Sequence, residues 1–167
     1  MMYETCIFDL YGTLVDIRTD EEKEELWERL ALFYAYYSPD ELRCSYKRLT
    51  GEMTAGHEAL RRDSHESFPE IQIEKVFRKL FEEREIIADE ALVCHAGQFF
   101  RVLSTEFLRL YEGMEEMLAA VKKSGRKIYL LSNAQRVFTE YEMNALGITK
   151  YFDGIYISSD EGCKKPD

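Results

Sequence analysis

Cysteine, histidine and tryptophan are scarce in this chain, at four, three and one residues. Cys6, Cys44, Cys94 and Cys163 are widely separated and form no C-x-x-C pair. That pattern argues against a zinc site or a disulfide framework and is the usage of free thiols in a reducing compartment. His57, His65 and His95 are equally isolated, and Cys94-His95 lacks further ligands at metal-site spacing. All seven residues are read as structural. The formal charge is -10 and no Lys/Arg stripe is present, which argues against a nucleic-acid binder. A small anionic substrate remains compatible, because local cations override net charge. No apolar run approaches membrane-spanning length, and the first residues carry no basic segment followed by an apolar one. The expectation is a cytoplasmic protein with no membrane partner. Internal repeats and low-complexity linkers are also missing.

What is present is globular. With 46% apolar and 32% charged residues over 167 positions, the chain is long enough for one domain, or for a small core with an insertion. The stretch from Thr5 to Asp16 sets its grammar. Cys6, Ile7 and Phe8 form a short apolar, β-favouring run that ends on Asp9, and Gly12-Thr13 then turns the chain. Such a run predicts a buried parallel strand with Asp9 at its carboxyl end, where open α/β sheets place their ligand sites. Asp9 is there either a nucleophile or simply the cap of a strand-to-loop turn.

From Ile17 to Leu110 the pattern reads as helices without strands. Thr19 or Asp20 caps a helix over 21–37, with Leu26, Leu30, Phe33 and Tyr37 at helical spacing beside Trp27 and Tyr34. The aromatic excess at Phe33, Tyr34, Tyr36 and Tyr37 is assigned to packing. Ser38-Pro39-Asp40-Glu41 predicts a helix start with a capping box, and Leu42, Tyr46 and Leu49 fall in that helix. Helix is expected to resume over 58–62, with a turn at Arg61-Arg62-Asp63-Ser64. Phe68-Pro69 gives an extended approach to an amphipathic helix over 73–85, and Asp89 caps another reaching Leu110. Strand and helix then alternate: helix 114–123, strand 127–131, helix 135–146 and strand 154–158.

Three polar endings follow three strands: Asp9, Ser132-Asn133 and, slightly beyond the third, Lys165. A parallel sheet brings them to one rim, where a carboxylate, a hydroxyl and a lysine suit an electrophile carrying negative charge. Lys165 would hold Asp9 ionised.

In this order the residues resemble the haloacid dehalogenase superfamily of hydrolases. Asp9-Leu10-Tyr11-Gly12-Thr13 is similar to its first motif, Leu130-Leu131-Ser132-Asn133 to its second and Lys165-Pro166-Asp167 to its third. The resemblance implies a Rossmann-like α/β fold, a three-layer parallel sheet with an inserted helical cap. Residues 1–16 and 111–167 would form the core and residues 17–110 the cap. It also implies that Asp9 carries a covalent intermediate, Ser132 binds the transferred group and Lys165 steadies both. Tyr11, Thr13 and Asn133 would contact the substrate, a small molecule.

Two departures shape the expectation. Phosphatases of the family carry an Asp two residues after the nucleophile, where this chain has Tyr11. Protonating an alkoxide is a poor task for a phenol with a reference pKa near ~10, whereas a halide leaves without a proton. The Asp-x-Tyr-Gly-Thr form is similar to that of 2-haloacid dehalogenases, which need no metal. A phosphatase-type site would instead hold Mg²⁺ on Asp9 and the Tyr11 backbone carbonyl. Arg43, Arg48 and Arg61 are candidates, by location alone, for the arginine that dehalogenases direct at substrate carboxylate and halide. The second departure is that the family's fourth acidic motif and its last strands do not appear before Asp167. A chain ending there would have its first strand at an open sheet edge and would self-associate. A catalytically defective binding or assembly protein is the alternative this raises.

Overall fold

Thr5–Phe8 forms the first strand, β1, and Asp9 is the residue that leaves it. In a computed structural model, which describes residues 3–60 and 68–165, β1 pairs in parallel with β4 (Lys127–Ser132), and β4 in parallel with β5 (Gly154–Ile157). The order β1-β4-β5 puts β1 on an edge that has no partner strand among the described residues. The expected turn at Arg61-Arg62-Asp63-Ser64 and the pair Pro166-Asp167 lie outside those residues.

Register sorts the side chains by face. Phe8, Leu130 and Ile155 are aligned, and Ile128 and Leu130 pack with Leu118 of α5 (Met114–Lys123) and Met143 of α6 (Arg136–Ala145). On the other face Ile7, Leu131 and Tyr156 stay exposed. Between strand and helix sits Asp153. Its carboxylate takes the Ile128 N–H and both Lys122 and Lys127, and the Lys122 ammonium first of all holds its pKa far below the carboxylate range.

The segment read as purely helical contains two strands. Val15–Thr19 is β2 and Thr105–Leu110 is β3; they pair antiparallel as a ribbon through which the chain leaves and re-enters the sheet domain. Val15 and Ile17 alternate with Asp16 and Arg18, the period of a strand. Asp16 lies opposite Arg109 in register and accepts from it at 2.7 Å. The helix expected to reach Leu110 therefore ends at Ser104, where Ser104 and Thr105 hydroxyls both donate to the Arg101 carbonyl. That closure satisfies orphan carbonyl capacity and releases the chain into extended geometry.

Four helices form the insert: α1 (Glu24–Tyr34), α2 (Pro39–Leu60), α3 (Ile73–Glu82) and α4 (Glu90–Ser104). α1 is shorter than its aromatic periodicity suggests. It starts only at Glu24, and Ala35 ends it in the left-handed region at φ 65°. The reciprocal cap at Ser38 is present: Ser38 N–H and Oγ both donate to Glu41, and Glu41 N–H returns to Ser38 Oγ. α2 continues through Gly51 and Gly56, because Leu42, Tyr46 and Leu49 bury one face against the other helices. Of the aromatic excess, Tyr34 and Tyr37 are buried and Phe33 packs against the same cluster, as expected, whereas Tyr36 is exposed. Trp27 is buried, and Phe100 meets Trp27, Tyr46, Phe77 and Phe138 ring to ring. Phe138 belongs to α6, so the apolar cluster of the insert extends onto a helix of the sheet domain. Gly97 makes that approach possible, since a methyl there would meet Phe77 and Val137 at 3.2 Å.

Replacing Ser38 with Ala should lower stability by about 1 kcal/mol in urea unfolding. Phe100→Ala, which removes the ring shared by four others, should cost ~3–5 kcal/mol. Similar small losses for both would show that the insert is held by something other than this cluster.

Candidate active site

Asp9 sits on a loop folded tightly against the sheet. Leu14 and Val15 N–H groups both donate to the Leu10 carbonyl, at 2.8 and 2.9 Å. Leu10, Leu14 and Val15 are buried, so the loop is pinned from beneath. Gly12, at φ 74°, adopts the left-handed conformation that the return requires. Thr13 is exposed at the outer turn of this loop.

The rim expected from the strand order is formed. Lys165 Nζ lies 3.1 Å from Asp9 Oδ1 and also donates to the Leu131 carbonyl at 2.9 Å. The Lys165 backbone N–H donates to Asn133 Oδ1 at 2.7 Å. Asp9 receives its own loop's Leu10 N–H at 2.8 Å. Ser132 is 2% exposed, and its hydroxyl has no hydrogen-bond partner among the described residues.

Tyr11 turns the other way. Its hydroxyl donates to Glu142 and lies 3.0 Å from Thr139 Oγ1, both on α6. Burial first, and then the Glu142 carboxylate, push its pKa far above the ordinary phenol value. Glu142, itself 2% exposed, accepts from Arg101 Nε at 2.5 Å. Burial works against the Arg101 charge, but Glu142 and Tyr11 more than restore it. The guanidinium lies 5.7 Å from the Tyr11 ring centroid and 5.1 Å from that of Phe138.

These groups line a cavity of about 380 Å³ between sheet domain and insert, with Tyr11, Arg101, Asn133, Gln135, Phe138, Glu70 and Lys164 on its walls. Asp9 and Lys165 are not among its lining residues; Asn133 on the wall accepts from the Lys165 backbone N–H, and Tyr11 lies two residues past Asp9. The insert also grips the loop that carries Lys165. Glu70 N–H donates to Gly162, and Lys164 N–H to Phe68 at 2.7 Å. Glu70 accepts from Ser158 Oγ and Gln135 Nε2, each at 3.1 Å, while Gln135 also bonds Ile71 and Ile73.

Arg43 and Arg48 are elsewhere. Arg43 pairs with Glu22, and Arg48 with Glu52 and Glu83, away from the cavity. Arg61 lies outside the described residues. The arginine on the wall is Arg101, which sequence reading passed over together with Glu142, Glu70 and Gln135. Its signal was a lone cation inside the apolar run Phe99-Phe100-Arg101-Val102-Leu103, a placement that demands a buried partner.

For Mg²⁺, Asp9 and the Tyr11 carbonyl supply two oxygens. No group of three or more His, Cys, Asp or Glu side chains able to hold a metal occurs among the described residues.

The family model described as haloacid dehalogenase-like hydrolase matches residues 3–167. The chain belongs to that family. Among solved structures it is similar to the L-2-haloacid dehalogenase from Xanthobacter autotrophicus, at 18% identity and TM-score 0.45 over 99% of this chain and 60% of that one. The putative HAD-hydrolase YfnB from Bacillus subtilis bound to magnesium gives 19% and 0.46, covering 100% of this chain and 68% of that one. A predicted phosphoglycolate phosphatase from Haemophilus somnus gives 17% and 0.45, covering 98% and 66%. This haloacid dehalogenase-like chain thus spans about 60% of the length of the Xanthobacter enzyme. No curated protein matches it.

Arg101→Met should destabilise the protein by ~3–5 kcal/mol, because it leaves Glu142 buried and uncompensated. Changing Arg101 and Glu142 together to apolar residues should cost less than the single change. Equal losses in denaturant would mean that the pair is not coupled.

Proposed function

We propose that this chain hydrolyses a carbon–halogen bond in a small halogenated carboxylic acid through an ester on Asp9. The observation that carries the reading is the state of Tyr11. Its hydroxyl is engaged by Glu142, and its pKa is pushed well away from neutrality. A leaving alkoxide, as in a phosphate ester, needs a proton from this position, and a phenol so held is a poor donor. A halide needs none.

In this reading an Asp9 oxygen attacks the carbon bearing the halogen, and the carbon–halogen bond breaks with its electron pair leaving as halide. Lys165, 3.1 Å away, orients the Asp9 carboxylate. The Ser132 hydroxyl is available to the substrate at the strand end. Arg101, supported by Lys164, supplies positive charge for the substrate carboxylate and the departing halide, and Asn133 adds amide donors on the same wall. Water then adds to the Asp9 ester carbonyl, the bond from that carbon to the substrate oxygen breaks, and the hydroxyacid, the Asp9 carboxylate and one proton are released. The reaction calls on no metal.

Halide release from short 2-haloacids, measured without and with Mg²⁺, should be metal-independent and fall on the order of 10⁴-fold in Asp9→Asn. Arg101→Lys should raise KM more than it lowers kcat, since a lysine cannot reproduce the planar fork. Mg²⁺-dependent phosphate release from phosphate esters, with no halide release, would replace this reading by the phosphatase one. No turnover of either kind, together with a stable partner in pull-down, would point to a binding protein.

A further inference from the structure

Glu142 is a buried carboxylate on α6, the helix after β4. Both of its oxygens are engaged, Oε1 by Arg101 Nε at 2.5 Å and Oε2 by the Tyr11 hydroxyl. The partners sit on separate pieces of chain. Tyr11 is on the nucleophile loop two residues past Asp9, and Arg101 is in the last turn of α4, just before the ribbon leads back to the sheet. A carboxylate withdrawn from water needs partners on its oxygens, so neither the loop nor the insert can shift without exposing an unmet charge. Mere glue between two domains would need no more than this. Two further facts go beyond glue: Tyr11 and Arg101 both line the cavity, and the guanidinium spreads over the Tyr11 and Phe138 rings.

We propose that Glu142 is a positioning residue for the Asp9 reaction, setting the Tyr11 ring and the Arg101 guanidinium together on the cavity wall and tempering the positive charge that meets the substrate anion. The inference rests on the reading of Asp9 as a nucleophile towards haloacids. With Glu142 present, Arg101 meets the anion as half of an ion pair, oriented but weakly holding. Without it, the guanidinium would be a bare cation, and the loop two residues from Asp9 would lose its tether.

The test uses bromoacetate as the probe, with bromide release and intact protein mass followed at the same time points. The chemistry balances: an Asp9 oxygen bonds to the methylene carbon, bromide leaves with the electron pair, and no proton is exchanged. Glu142→Gln keeps the shape and removes the charge. It should lower the maximal rate by about 10- to 100-fold, the cost of a misplaced reacting group. It should also lower the half-saturating bromoacetate concentration, because the uncompensated guanidinium holds the anion tighter. Both quantities are read from the single-turnover phase of bromide release, where slower ester hydrolysis cannot lower them together. Glu142→Asp should recover part of the rate. Adding Tyr11→Phe to Glu142→Gln should slow the reaction little further, because the phenol acts through the carboxylate. An unchanged rate and half-saturation, a rise in half-saturation alongside a lower rate, or full additivity of the double variant would overturn the proposal. If the unaltered protein releases no bromide, the Asp9 reading itself fails, and the positioning role fails with it. Should Glu142→Gln not fold, Glu142→Asp carries the test: its shortened reach should lower the rate by a smaller factor, and a wild-type rate from it would contradict the proposal.

Discussion

A buried carboxylate shared by a guanidinium and a phenol joins the parts of this molecule. Glu142 cannot be left unpaired at 2% exposure, and its two partners come from the nucleophile loop and from the insert. The apolar cluster around Phe100 and Phe138 seats α4 against α6, but apolar contact is non-directional and would tolerate sliding. The Arg101–Glu142–Tyr11 junction supplies the direction. It fixes where the insert sits relative to Asp9, and so gives the cavity its walls. The same junction engages the Tyr11 hydroxyl, two residues past Asp9.

A second constraint works at the sheet edge. Parallel pairing of β1, β4 and β5 brings their carboxyl ends into line, and Asp9, Ser132 and Lys165 follow from that geometry. Lys165 is held from two directions, by the Leu131 carbonyl at Nζ and by Asn133 at its backbone N–H. The backbone pairing of residues 68–70 with 162–164 then ties the lysine's loop to the insert. The Lys165 loop is thus tied to the insert, as Tyr11 on the Asp9 loop is through Glu142 and Arg101.

The sheet, its order of helices and the rim were legible in the sequence because each rests on local signals. Short apolar runs end on polar residues, helices close on glycine, and Ser38 and Asp89 cap as their side chains dictate. The ribbon was not legible. β2 and β3 are separated by more than eighty residues, and each stabilises the other only once the insert has folded back. Thr105–Leu110 also continues a strong helical pattern, so only its pairing with Val15–Thr19 reveals it as a strand. The cavity wall was hidden for a related reason. Arg101 and Glu142 are unremarkable as isolated letters on two helices, and their meaning comes from a contact across domains. The arginines chosen by location, Arg43 and Arg48, lie on solvated helix faces where Glu22, Glu52 and Glu83 satisfy them.

The central claim is that Asp9 is esterified by its substrate and released by water. A single turnover of a short 2-haloacid, run with enzyme in excess in oxygen-labelled water, tests it directly by mass analysis of the Asp9 peptide. Attack of water on the ester carbonyl predicts that the heavy oxygen appears in the Asp9 carboxylate, and that the hydroxyacid product carries an ordinary oxygen. Heavy oxygen in the product alone, with Asp9 unlabelled, would mean that water displaces the halide directly, and would contradict the covalent role assigned to Asp9.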